Sequence, residues 1–181
     1  MLEQPCLPGL DAPDIISDTR NSDHKMMRYP DLTGEVLCNR AKELGLAAEF
    51  FVDSILTRLG VPAAQFGEHS AFDRLIWVGG RCLRLQVKSR HRMSEYGYTF
   101  EIRKGYQRGP VGTRPYDKDE FDLLALVGLP HDVVRFTAEW RPQHRIAARE
   151  IPGLRARPGL SLAAALADLG LDPVTVPTPT A

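Results

Sequence analysis

The chain has 181 residues, of which 43% are hydrophobic and 25% charged, and this balance excludes an intrinsically disordered protein. Its 23 basic and 23 acidic residues cancel, so any strongly charged surface has to be local. Three cysteines without metal-like spacing exclude a disulfide framework and a zinc site. The acidic N-terminus is unlike a signal peptide and no apolar run approaches membrane-spanning length, so we expect a cytoplasmic protein with reduced thiols and no membrane association.

Charge is concentrated in one part of the chain. Residues 81–114 contain nine bases against two acids, whereas residues 1–60 contain ten acids against six bases. A local basic excess of this kind is typical of a surface that binds a polyanion. The alternative is a solvated loop region that is rich in arginine.

Residues 1–38 lack a sustained hydrophobic period and are predicted to form an irregular leader. A helix is predicted from Arg40 to Leu59, with Asn39 as its N-cap and Gly60 after its end. Its apolar stripe has the spacing of one helix face and consists of Leu44, Ala48, Phe51, Val52, Ile55 and Leu59. Glu49 lies beside this stripe, where its carboxylate can reach across the sheet that the helix covers; the alternative is a solvated flank residue.

Two strand-like runs between Phe72 and Ser89 flank the dipeptide Gly79-Gly80, which is typical of a two-residue hairpin turn. If these glycines form the turn, Val78 pairs with Arg81 and Asp73 lies opposite Gln86. Side chains alternate between the two faces of a strand. An acid, an amide and an ammonium, those of Asp73, Gln86 and Lys88, are therefore predicted to share one face at the open end of the hairpin.

Further strands are predicted over residues 96–103, over the nearly continuous apolar run 121–129 and over residues 133–140. Residues 104–119 are rich in Gly and Pro and should form a mobile loop. A short helix is predicted from Ser161, as its N-cap, to Leu171, followed by a disordered tail. We divide the chain into a leader (1–38), a core domain of mixed α/β or α+β class (39–140) and a C-terminal extension (141–181).

The predicted cluster has the oxygen ligands that a magnesium-like ion prefers. Asp73 is the strongest ligand candidate, with the carboxylate of Glu49, the side-chain carbonyl of Gln86 and the main-chain carbonyl of Val87 around it. Lys88 can position a water molecule or stabilise negative charge that develops on a phosphate. The alternative is that Gln86 and Lys88 are ordinary strand residues and that Asp73 caps a strand.

At these residues the sequence resembles the PD-(D/E)XK nuclease superfamily, and in particular the group of intron homing endonucleases whose third motif reads Q-x-K. The resemblance rests on a helix with Gly45 and Glu49, on Phe72-Asp73, and on Gln86-Val87-Lys88, and it extends over about residues 40–140. It implies a restriction-endonuclease-like αβββαβ core, a mixed central sheet flanked by helices. The helix glutamate of the family corresponds to Glu49.

The resemblance further implies a metal-dependent DNA endonuclease that uses Mg²⁺, or else Mn²⁺, with Glu49, Asp73, Gln86 and Lys88 as its catalytic set. Cutting both strands would favour a homodimer or a higher homo-oligomer. The cations expected to bind DNA phosphates come from the basic segment and are Arg84, Arg90, Arg92, Arg103, Lys104, Arg108 and Arg114. Two other interpretations stay open: an inactive DNA-binding protein that keeps the nuclease fold, and a module that binds a protein partner.

Overall fold

The structure is a computed structural model that describes residues 25–67, 70–105 and 112–171. Its contacts divide the chain into two compact units, Met1–Ala41 and Lys42–Ala181. In the described part of the first unit, helix α1 spans Gly34–Asn39, and Thr33 caps it by accepting a hydrogen bond from the amide of Val36. The end of the predicted irregular leader is therefore helical. Most of that leader, residues 1–24, lies outside the described residues.

Helix α2 spans Ala41–Arg58, within a residue of the predicted helix at each end. Asn39 does not cap it, because Asn39 is the last residue of α1. Gly60 follows the helix with φ of 71°, which is the left-handed conformation expected for a glycine after a helix. The buried residues of α2 lie on one face and are Leu44, Ala48, Val52, Ile55 and Leu56.

The described residues of the second unit contain nine strands. They are β1 (Ala63–Gln65), β2 (Arg74–Val78), β3 (Arg81–Arg90), β4 (Gly97–Glu101), β5 (Arg103–Lys104), β6 (Arg114–Pro115), β7 (Leu123–Gly128), β8 (Val133–Thr137) and β9 (Gln143–Ala147). Five of them form a mixed sheet in the order β1-β2-β3-β7-β8, in which only β3 and β7 pair in parallel. The predicted mixed central sheet with flanking helices is confirmed.

The hairpin of β2 and β3 has the predicted register. Val78 pairs with Arg81 and Arg74 pairs with Leu85, and Gly79 and Gly80 have φ of 58° and 74° in the turn. These positive angles cost glycine little, because it has no Cβ atom to collide with the backbone. The turn therefore sets which side chains of the two strands share a face.

The two faces of the sheet are covered differently. Arg74 and Leu85 point to the face that α2 covers, since Arg74 contacts two carboxylates of that helix. The other face, which carries Gln86 and Lys88, continues into a second core. Half of its side chains come from β4, β7 and β9, and its members are Tyr98, Phe100, Ile102, Tyr116, Phe121, Leu124, Leu126, Val133, Ile146 and Ile151. Gln86 and Lys88 thus lie where the central sheet meets this second core, whereas Glu49 lies on α2 at the other face.

The connection from β3 to β7 is made of short strands. Strand β4 pairs with β9, and β5 pairs with β6, while the described residues between β3 and β7 contain no helix. An αβββαβ core has a helix at this crossover. The segment is rich in glycine and proline, and both residues disfavour a helix.

The C-terminal part contains two helices, α3 (Ile151–Ala156) and α4 (Pro158–Asp168), and α4 packs on β8. The predicted cap at Ser161 is wrong, because α4 begins at Pro158, whose ring suits the first helical position. The Ser161 hydroxyl donates instead to the carbonyl of Pro158 and accepts from the amide of Phe136 in β8. The predicted disordered tail lies outside the described residues.

Candidate active site

Asp73 and Gln86 are in direct contact, as the hairpin register predicts. Asp73 lies immediately before β2, and its Oδ2 atom accepts hydrogen bonds from Gln86 Nε2 at 2.6 Å and from the main-chain amide of Val87 at 2.7 Å. The main-chain amide of Asp73 donates to the carbonyl of Leu85 at 3.0 Å. Asp73 is therefore held against β3 through both its carboxylate and its main-chain amide.

Gln86 presents its amide nitrogen to the site rather than the carbonyl that we predicted as a ligand. Nε2 donates to Asp73 Oδ2 and, at 3.0 Å, to the main-chain oxygen of Val87. The physical reason is that an ionised carboxylate and a carbonyl only accept, so an amide between them turns its donors towards both. Two of the oxygens predicted to bind a metal ion thus converge on one nitrogen atom.

This donor set fits a hard divalent cation. Carboxylate, amide and main-chain oxygens are the ligands that Mg²⁺ takes, commonly with only one or two carboxylates from the protein. Within residues 25–67, 70–105 and 112–171 no group of three or more His, Cys, Asp or Glu could hold a metal ion. A cation held by Asp73, Glu49 and the Val87 carbonyl would gain the Gln86 carbonyl as a further ligand only after the Gln86 amide turns over, because its nitrogen faces Asp73 and Val87.

Glu49 is not directly hydrogen-bonded to the Asp73 carboxylate. Its Oε2 atom accepts from Arg74 Nη1 at 2.8 Å, and the same nitrogen donates to the main-chain oxygen of Asp73 at 2.9 Å. Asp53, one helical turn after Glu49, binds Arg74 Nε and Nη2 at 2.7 and 2.9 Å. The Arg74 guanidinium thus joins the carboxylate of Glu49 to the backbone of Asp73, the two acids predicted to bind the metal ion.

Arg74 has no role in the sequence-based prediction of the site. Its side chain is only 1% exposed. A signal was present, because a charge at a core-facing strand position requires buried partners and α2 offers two carboxylates at i and i+4 spacing. The covering helix therefore contributes both Glu49 and Asp53, and Arg74 of β2 pairs with the two of them.

Lys88 is anchored by a tyrosine that the motif analysis did not assign to the site. Lys88 Nζ donates to Tyr116 Oη at 2.7 Å and to the main-chain oxygen of Arg103 at 3.0 Å. The ammonium also lies 4.7 Å from the centre of the Tyr116 ring, within the range of a cation–π contact. Tyr116, in the loop that follows β6, is buried against Phe121. It thus fixes where the ammonium points.

Burial shifts the pKa values of Asp73, Lys88 and Tyr116. It raises the pKa of Asp73 to about 6, with the charge of Glu49 in the same direction and the amide of Val87 opposing. Burial also lowers the pKa of Lys88 to about 8, and the nearby Asp73 charge opposes this shift. The pKa of Tyr116 is raised by burial and by the charges of Asp73 and Glu120. Perturbed acids and bases that meet in one place are typical of functional sites.

Some cations of the basic segment are already paired within the protein. Arg84 binds Asp122 through Nη2 at 3.0 Å and Nε at 3.1 Å, and Lys104 pairs with the carboxylate of Glu120. Two acids that follow the basic segment therefore neutralise part of its charge.

The other predicted DNA-binding residues are more accessible. Arg90 donates to the carbonyl of Thr99, and Arg103 donates to both oxygens of Thr113, the hydroxyl and the carbonyl. Arg92 and Arg114 are exposed. Arg108 lies outside the described residues. None of these placements tests DNA binding itself, so the basic surface stays a prediction.

The chain resembles the solved structure of a bacterial homing endonuclease, I-Ssp6803I, with a TM-score of 0.53 and 16% sequence identity, over 70% of this chain and 97% of that chain. No family model matches the sequence, and neither does any curated protein. At this identity the likeness concerns the fold alone. The chain therefore has a mixed α+β, nuclease-like fold similar to that of a homing endonuclease.

Proposed function

We propose that this protein is a metal-dependent DNA endonuclease of the PD-(D/E)XK type. The observation that carries the proposal is the convergence of the Asp73 carboxylate, the Gln86 amide and the Val87 carbonyl at one point, with Lys88 two residues further along the same strand. The likeness of the fold to a homing endonuclease supports it. Fold alone does not determine function, so the proposal depends on the site.

The residues have separate roles in this proposal. Asp73, Gln86, Val87 and Glu49 would hold Mg²⁺, or Mn²⁺ in its place. A divalent cation held there supplies a Lewis acid that neutralises charge on the scissile phosphate. Lys88 orients the attacking water and stabilises the negative charge that develops on the phosphate oxygens. Water would form a new bond to phosphorus and lose a proton to solvent, while the bond from phosphorus to one sugar oxygen breaks and the departing oxygen takes up a proton from solvent.

Cleavage of supercoiled plasmid, linear duplex and branched DNA, with and without magnesium, tests the proposal directly. Lys88→Ala should abolish magnesium-dependent nicking and leave DNA retention on a filter largely unchanged. The exposed Lys118 provides a matched control, since Lys118→Ala removes a lysine that has no part in the proposed site. Nicking by Lys88→Ala at the rate of the wild-type protein would exclude the mechanism.

A second candidate is a DNA-binding protein that keeps the fold and does not cut. It is favoured by the pairing of Glu49 with Arg74 and by the amide nitrogen of Gln86 between the two predicted ligand oxygens. Calorimetric titration with Mg²⁺ separates the two candidates. A heat of binding that disappears in Asp73→Asn supports the nuclease, whereas salt-sensitive DNA retention without such binding supports the second candidate.

Location and assembly stay predictions. None of the helices in the described ranges is both long enough and apolar enough to cross a membrane. A symmetric dimer would bring two copies of the site to the two DNA strands. The mass of the protein in solution, measured by light scattering with and without a DNA duplex, tests this expectation.

A further inference from the structure

Arg74 is a buried charge with unusually complete pairing. Its side chain is 1% exposed, although arginine is rarely buried in full unless it is paired. Asp53 uses both carboxylate oxygens to bind Nε and Nη2 in a two-pronged fork, at 2.7 and 2.9 Å. This fork fixes the plane of the guanidinium group from the side of α2.

The remaining nitrogen points towards the candidate site. Nη1 donates to Glu49 Oε2 at 2.8 Å and to the main-chain oxygen of Asp73 at 2.9 Å. One atom therefore joins the side chain of one predicted metal-binding acid to the backbone of the other. Of the two oxygens of Glu49, only Oε2 is bonded to Arg74 in the described structure.

We propose that Arg74 is a positioning residue for the candidate metal site. The fork with Asp53 fixes the guanidinium, and Nη1 then sets the Glu49 carboxylate at a defined place beside the Asp73 backbone. This inference rests on the proposed function, since it assumes that Asp73 and Glu49 hold a cation. Asp53 takes part through Arg74 and does not itself contact the site.

Two explanations of Arg74 predict opposite results. A positioning residue should weaken cation binding when it is removed, because Glu49 loses its fixed orientation. A residue that only neutralises the two carboxylates should strengthen cation binding when removed, because more negative charge is left near the site. The effect of Arg74→Met on the dissociation constant therefore distinguishes the two.

The experiment is calorimetric titration of the full chain with Mn²⁺ and with Mg²⁺. Arg74→Met and Arg74→Lys should each weaken binding by about tenfold to a hundredfold, the range found when groups that orient metal ligands are changed. Asp53→Asn should weaken binding too, and should add nothing further in the Arg74→Lys background, because it acts through the same guanidinium. Arg135→Lys is the control, since Arg135 of β8 pairs with Glu150 and contacts none of the candidate site residues.

The outcomes separate the inference from the proposed function. Unchanged or tighter cation binding in Arg74→Met, or fully additive effects of Asp53→Asn and Arg74→Lys, overturns the positioning role. If the Arg74 variants do not fold, Asp53→Asn alone decides the matter, and wild-type affinity in that variant overturns the inference. A wild-type protein without cation binding that depends on Asp73 overturns the proposed function and this inference together. Binding without DNA cleavage overturns the proposed endonuclease alone.

Discussion

Replacing the amide at position 86 by an acid tests the local geometry most directly. Gln86 donates from one nitrogen to Asp73 Oδ2 at 2.6 Å and to the carbonyl of Val87 at 3.0 Å. Gln86→Glu has almost the same shape but loses both donors at high pH. It also places a second carboxylate against Asp73, whose pKa burial already raises to about 6.

The expected cost follows from these two contacts. A hydrogen bond to a charged group contributes about 1.5–3 kcal/mol, and one between neutral groups about 0.5–1.5 kcal/mol. Their loss should reduce the free energy of unfolding by about 2–4.5 kcal/mol, which for a chain of this size lowers Tm by about 4–18 °C. Repulsion between the two carboxylates adds to this cost until the pair takes up a proton.

The pH dependence has a defined sign. The new acid has a higher pKa in the folded than in the unfolded protein, because burial and Asp73 both disfavour its charge. The destabilisation is therefore full at a pH above that raised pKa and shrinks as pH falls towards the unfolded value of about 4.3. A protonated acid can again donate to Asp73.

Thermal unfolding in EDTA at pH 8, and then with increasing Mg²⁺, is the measurement. Magnesium at about 100 times its Kd adds about 2.7 kcal/mol, so it should raise the Tm of Gln86→Glu, and by more than that of the wild-type protein if the second acid tightens binding. Gln143→Glu, at an exposed position of β9, is the control for the added charge. Equal melting of the Gln86 and Gln143 variants in EDTA would refute the geometry, and the lack of a magnesium effect would refute the metal site.

Two further predictions concern single side chains. Tyr116→Phe keeps the ring but removes the hydroxyl that binds Lys88 Nζ at 2.7 Å. DNA cleavage should therefore slow by about tenfold to a hundredfold, while DNA retention stays unchanged. Cleavage at the wild-type rate would argue against the anchoring role of Tyr116. Burial lowers the pKa of His144 below the unfolded value of about 6.5, so stability is fully present above that pH and is lost as pH falls below it. The fall in Tm from pH 7 to pH 5 should therefore be smaller in His144→Phe than in the wild-type protein. An equal fall in both proteins would contradict the claim that burial of His144 causes this loss of stability.

Much of the hairpin and of its contacts could be predicted from residues that are close in sequence. Gly79 and Gly80 accept positive φ angles, and a two-residue turn leaves one register for the strands that it joins. That register is sufficient to place Asp73 against Gln86, which the structure shows at 2.6 Å. The helical period likewise placed Glu49 beside the buried stripe of α2.

Pairings between distant segments could not be predicted in this way. Strand β9 pairs with β4 across some 45 residues of chain, and no local pattern in residues 143–147 identified that partner. The helix cap expected at Ser161 failed for a similar reason, because its hydroxyl is used between α4 and β8.

Charged groups show most clearly the difference between what the sequence determines and what the tertiary structure decides. By itself the sequence determined the hairpin, the helix and the faces on which Asp73, Gln86 and Lys88 lie, because turns and periodicities act over a few residues. Only the tertiary structure decided that Arg74 pairs with Glu49, 25 positions away, and that Tyr116 binds Lys88, 28 positions away. A buried charge needs a partner, but which partner reaches it depends on how distant elements pack, and that packing has no local signature in the sequence.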